Sequence, residues 1–220
     1  PKPIQPAAPA ASPTAPAVKD GMDPPARAPR DQQRLMGLGD AFDKGALLIG
    51  EWVGSGDATM RVGAWRYTDT QDDIRDLDVL GAPVQRRSEG IYASLEGPIW
   101  AADGRTIAGF VRAGAADGHT TPFVGGWQAG VLVSQVFNGR PDSQFSIGVN
   151  QGLINARQRA NMRDDGETPT NGESALEITY ADKVLEHVTL QPDLQFVHAP
   201  NADADRDTDI IATLRLAVEY

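Results

Sequence analysis

Cysteine is absent from the 220 residues, which excludes a disulfide framework and a thiolate metal site. Also missing is any run near the ~20 apolar residues that a membrane helix requires. Helical membrane spanning is therefore excluded, while the weaker, alternating signature of a membrane strand escapes that test. Positive charge is scarce: 20 Lys and Arg stand against 30 Asp and Glu, for a net charge of -10. Phosphate backbones are bound by clustered cations, so nucleic acid is not an expected partner. No basic and apolar leader precedes Pro1, so any signal peptide is expected to have been removed or to lie upstream. Catalytic patterns are lacking too. His119, His187 and His198 fall at predicted strand ends or loops, without a nucleophile pattern around them or the spacing of a metal site. The expectation is a non-enzymatic protein with no catalytic residue, metal or cofactor.

What the chain does have is period-two alternation. In Thr208–Tyr220, Ile210, Ala212, Leu214, Leu216, Val218 and Tyr220 fall on one side, and Asp209, Thr213, Arg215 and Glu219 on the other. A strand pleats with that period, so such a segment shows oil to one medium and charge to another. The same pattern recurs over about 45–54, 58–68, 87–100, 105–114, 123–136, 142–153, 174–181 and 187–198, giving nine predicted strands. The polar side persists from strand to strand. In a dry core each such group would cost on the order of 2 kcal/mol or more unless paired, whereas a water-filled lumen removes that cost.

Connectors sort by parity. Gly54–Ala58, Ala101–Arg105, Asn138–Asp142 and Asp182–Glu186 are short; 69–86, 115–122, 154–173 and 199–207 are mostly longer and more polar. Membrane barrels combine short periplasmic turns with longer outside loops, and a two-layer sandwich gives no reason for such sorting. Ahead of the strands, nine of the sixteen prolines fall within residues 1–30. Residues 1–44 are read as a Pro/Ala-rich loop or linker and 45–220 as barrel wall. Pro192 lies inside a predicted strand, where a bulge or an interrupted ladder is expected.

Several stretches resemble one family. Glu173–Tyr180, Val188–Phe196 with its Leu190-Gln-Pro-Asp-Leu-Gln195 core, and His198-Ala-Pro-Asn201 are similar to the C-terminal signature of the carbohydrate-selective porins of bacterial outer membranes. Ile49-Gly-Glu51, Val62-Gly-Ala-Trp65 and Gly139-Arg-Pro-Asp142 resemble the same family in the same order. The resemblance implies an antiparallel transmembrane β-barrel of sixteen strands, commonly trimeric, that passes monosaccharides such as glucose by passive diffusion. Family members are about twice this length, so nine strands correspond to the C-terminal half. Open sheet edges do not face lipid, so a second chain or a missing upstream segment is expected to complete the barrel. Outer-membrane lipid and lipopolysaccharide are its expected surroundings.

Alternation nominates the groups that face solute: Glu51, Arg61, Trp65, Tyr92, Glu96, Arg112, Glu177, Gln191, Asp193, Gln195 and Arg215. Sugars are recognised by planar donors and acceptors and by aromatic faces over their CH surface. Trp65 is ambiguous, turned inward beside Arg61 by alternation but suited to an interfacial belt. Trp52, Trp100 and Trp127 read as belt residues. Two other readings use the same residues: a soluble all-β carbohydrate-binding module, and an outer-membrane barrel plugged by residues 1–44.

Overall fold

The computed structural model describes residues 45–219. The expected linker 1–44, its role as a plug, and the side of Tyr220 lie outside these residues. One antiparallel sheet carries every strand in chain order: β1 (Leu47–Ser55), β2 (Thr59–Leu77), β3 (Pro83–Ala102), β4 (Arg105–Ala116), β5 (Phe123–Ser134), β6 (Gln144–Ile154), β7 (Gly172–Leu185), β8 (Val188–His198) and β9 (Asp209–Val218). Among the described residues each strand pairs only with its sequence neighbours, so β1 and β9 are edges and the described sheet is not closed. No second sheet packs on either face among the described residues, which removes the sandwich architecture.

The pairing register fixes the faces. On β9, Leu214 opposes Pro192 and Leu216 opposes Leu190, while Arg215 opposes Gln191 and Thr213 opposes Asp193. Because directly opposed residues share a face, the pattern can be followed across the whole sheet. Trp52, Val62, Ala93, Ala113 and Trp127 form one row of the apolar face. That face is bare: Leu214 is 65% exposed and Ile91 64%. Conversely, the buried apolar cluster is small, consisting of Ile154, Met162 and Ala202. Such a body has no dry interior to hold it together, so its apolar side chains must be covered by something else.

Two connector expectations are corrected. Residues 69–86 are not a long loop: β2 and β3 run on as a paired hairpin that turns over only at 78–82. The turn is built by Asp78, whose carboxylate accepts from the Leu80 and Ala82 N–H groups, a local bond that leaves no need for glycine-rich turn chemistry in the flanks. The β5–β6 connector spans 135–143, longer than the expected 138–142, because Ser143 is buried and donates to the Arg140 carbonyl, closing a compact loop. The alternation of short and long connectors is thus incomplete. Residues 155–171 instead hold a helix, α1 (Ala156–Asp164), whose Asn155 side chain accepts from the Gln158 N–H at 2.7 Å as its N-cap. Pro192 sits where the β7–β8 ladder is interrupted between Thr179/Asp193 and Asp182/Leu190, with register kept. The missing N–H costs the sheet a bond there but forces no bulge.

Candidate functional site

All eleven nominated residues fall on one face. Glu51 opposes Gly63, which opposes Tyr92; Trp65 opposes Gly90; Arg61 opposes Ser94, which opposes Arg112. Glu96 opposes Phe110 and, through Gly130 and Gly148, lies in one row with Glu177 and Gln195. Asp193, Gln191 and Arg215 continue this face to the β9 edge. Trp65 therefore stands on the polar side, edge-to-face with Tyr67 at 6.0 Å. Trp52, Trp100 and Trp127 stand on the apolar side, as a belt requires.

Polar neighbours on this face pair with one another. Tyr92 donates to Glu51 at 2.8 Å, Arg61 binds Glu96 at 2.6 Å, and Arg112 donates to Gln128 at 2.8 Å while its guanidinium covers the Phe110 ring at 5.2 Å. Thr179 donates to Asp193 at 2.7 Å, and Gln195 bridges Glu177 and Asp193 at 3.3 and 3.2 Å. Tyr92 reaches Glu51 only because it lies across Gly63: a Cβ at that glycine would stand 2.3 Å from the Tyr92 ring. The arrangement is a wet wall with fixed donors and acceptors, free of any cluster of three or more metal-ligating side chains among the described residues.

Side chains are thinnest in the middle of the wall. Gly114, Gly126 and Gly152 follow one another across β4, β5 and β6. The space left there is bordered by Arg112, Gln128, Asn150, Tyr92 and Trp65 as a hollow of about 670 Å3. A second hollow of about 680 Å3 lies beside Phe110 and Glu177. The structure thus brings Trp65, Tyr92 and Arg112 to one hollow and Glu96, Arg112 and Glu177 to the other. Glu51, Arg61, Gln191, Asp193, Gln195 and Arg215 border neither. Gln128 and Asn150 are not among the eleven nominated residues: Asn150 alternates plainly against Ile147 and Val149, whereas Gly126 and Gly130 blur the alternation around Gln128.

At the long-connector end the hairpin extension meets α1 and the 117–122 loop around one buried carboxylate, with Arg75–Asp164 and Arg157–Asp76 pairs beside it, each at 2.8 Å. Asp73 is fully buried, accepts from the Arg75 and Asp76 N–H groups at 2.9 Å each, and pairs with Arg86 at 3.3 Å and Arg157 of α1 at 3.1 Å. Asp73 lies fourteen residues beyond Thr59, past the ~9–11 residues of a membrane strand. Burial pushes its carboxyl up, but the two N–H groups with Arg157 and Arg86 outweigh it and hold the pKa at about 2. His119, expected to be solvated, has Nδ1 3.5 Å from the same carboxylate. No sequence spacing announces this node, whose members come from three separate connectors.

A single sheet with one bare apolar face, one hydrogen-bonded polar face and loops gathered at its ends defines the wall of a membrane β-barrel. The family model for the carbohydrate-selective porins, OprB family, matches residues 22–220, and the chain belongs to that family. Its place is the bacterial outer membrane. The high-pH structure of OprB from Pseudomonas putida is similar in fold, with a TM-score of 0.70 at 21% identity, over 80% of this chain and 49% of that one. The chain thus spans about half the length of that solved relative. No curated protein matches it by sequence.

Proposed function

We propose that the chain forms the C-terminal part of a sixteen-stranded porin through which small sugars such as glucose diffuse passively. The observation that carries this reading is the register: eleven polar or aromatic residues spread over β1, β2, β3, β4, β7, β8 and β9 share one face, back to back with an exposed apolar one. In this reading the polar face is the lumen, where Glu51, Arg61, Trp65, Tyr92, Glu96, Arg112, Glu177, Gln191, Asp193, Gln195 and Arg215 meet water and solute. Tyr92 and Trp65 offer ring faces to the CH side of a sugar, and Glu51, Arg112 and Gln128 offer planar acceptors and donors to its hydroxyls. Charge on the wall adds an electrostatic filter.

Among the described residues the outer sides of β1 and β9 have no partner strand, and unpaired backbone groups there are not tolerated by hydrocarbon. The remaining strands come from an upstream segment of the same protein or from a second chain. Packed as a trimer, the barrel contacts lipid, lipopolysaccharide and its own copies through the apolar face. Liposome swelling of the completed barrel tests the reading. Glucose entering faster than a disaccharide of the same osmolarity supports a sugar pore. Swelling no faster than in protein-free vesicles refutes it.

A further inference from the structure

The apolar face changes character at its short-connector rim. There Trp100 opposes Ile107, which opposes Val133, and Ala102 opposes Arg105, so Trp100 and Arg105 share the outer side. The loop 135–143 folds back over this side: Phe137 meets Tyr180 edge-to-face at 5.9 Å, and Arg140 pairs with the buried Asp182. Between the loop and the β3–β4 turn lies a cleft of about 430 Å3 lined by Trp100, Asp103, Arg105, Phe137, Gly139 and Pro141, among others. Arg105 donates from Nε and Nη2 to the Gln135 and Val136 carbonyls at 3.1 and 3.3 Å. These bonds fix the guanidinium and leave Nη1 without a protein partner among the described residues. Asp103, held at a left-handed φ of 51° in the turn, is exposed and in no ion pair among the described residues.

We propose that this cleft binds the headgroup of a zwitterionic, amine-bearing phospholipid. Arg105 takes the phosphate through Nη1, Asp103 takes the ammonium, and Trp100 and Phe137, 46% and 55% exposed, cover the glycerol and the first methylenes. The cleft matches the headgroup in sign at both ends, one cation and one carboxylate, and it opens on the lipid side. An anionic headgroup would set its phosphate against Asp103 with no amine to answer it. The proposal rests on the porin reading, in which short connectors mark the periplasmic side and therefore the phospholipid leaflet. Lipopolysaccharide belongs to the opposite rim.

Native mass spectrometry of the barrel extracted from outer membranes, delipidated and then titrated separately with phosphatidylethanolamine, phosphatidylglycerol and inorganic phosphate, tests it. The expected result is retention of phosphatidylethanolamine about tenfold above phosphatidylglycerol, with no displacement by inorganic phosphate. Arg105→Gln should abolish retention of both lipids. Asp103→Asn, which removes no structural bond, should reverse the preference toward phosphatidylglycerol. Equal retention of the two lipids by the unmodified protein, an unchanged preference in Asp103→Asn, or occupancy by phosphate alone overturns the proposal. Bilayer conductance of the same samples separates the two failures. A conducting barrel without lipid preference sinks this site alone, whereas a non-conducting barrel sinks the porin reading beneath it.

Discussion

The two faces of this sheet are made by the same strands and obey opposite rules. On the polar face side chains find partners within the wall, as Arg61 does with Glu96 and Gln195 with Glu177 and Asp193. On the apolar face Leu214, Leu216 and Ile210 stand 65%, 62% and 65% exposed, with no second layer among the described residues to receive them. The difference teaches that the wall is stabilised from outside. Hydrocarbon covers one face and water the other, and what the wall supplies itself is the backbone ladder and the pairs on its polar face. Asp182 confirms the rule by its exception: a carboxylate on the apolar side is tolerated because the 135–143 loop buries it and Arg140 pairs with it.

The comparison breaks most visibly where a charge is placed on the wrong side. Leu214→Arg should destabilise the folded barrel in bilayers by about 2–4 kcal/mol, read from reversible urea unfolding. Arg at the neighbouring Thr213 should cost less than about 1 kcal/mol. Nearly as large is the effect expected for Arg140→Ala, which leaves the buried Asp182 carboxylate without its cation, held only by the Tyr180 hydroxyl at 2.7 Å, at a cost of about 3 kcal/mol. Asp182→Asn in that background should recover most of the loss in the same unfolding assay.

A third change sharpens the contrast between wall and rim. Asp73 lies outside the membrane band, and its carboxyl is held at about 2 against an ordinary 3.8. A depressed pKa means that its contribution is complete above the ordinary value and disappears as pH falls through about 2. Hydrogen exchange of α1 should stay slow at pH 4 and become fast in Asp73→Asn at every pH. Smallest is Arg112→Gln: stability should move by less than about 1 kcal/mol, since an exposed polar contact is lost. Single-channel cation preference should nevertheless rise, because one lumen cation is gone.

Much of this was legible in the sequence because period two is a direct image of the pleat. β4, β6, β8 and β9 fall within about two residues of their expected bounds, and the eleven nominated residues share one face, the ambiguous Trp65 among them. The hairpin extension of β2 and β3 was not legible. Asp72, Asp73, Asp76 and Asp78 read as a polar loop, yet they serve a ladder and a turn outside the membrane, where strands need no apolar side. Gln128 was hidden by glycines two positions to either side, and the Asp73 node by its assembly from distant connectors. Local pattern reports faces well. It does not report which loops meet.

Oil against one face and water against the other can be tested directly, because the 220 residues hold no cysteine to compete with one introduced on this part of the wall. Single cysteines placed in turn at positions 209–218 of the completed barrel in bilayers would be reacted with a membrane-impermeant maleimide supplied on both sides. Labelling at 209, 211, 213, 215 and 217, with protection at 210, 212, 214, 216 and 218, is the predicted result. Uniform labelling along the strand, or protection of the Arg215 side with labelling of the Leu214 side, would contradict it.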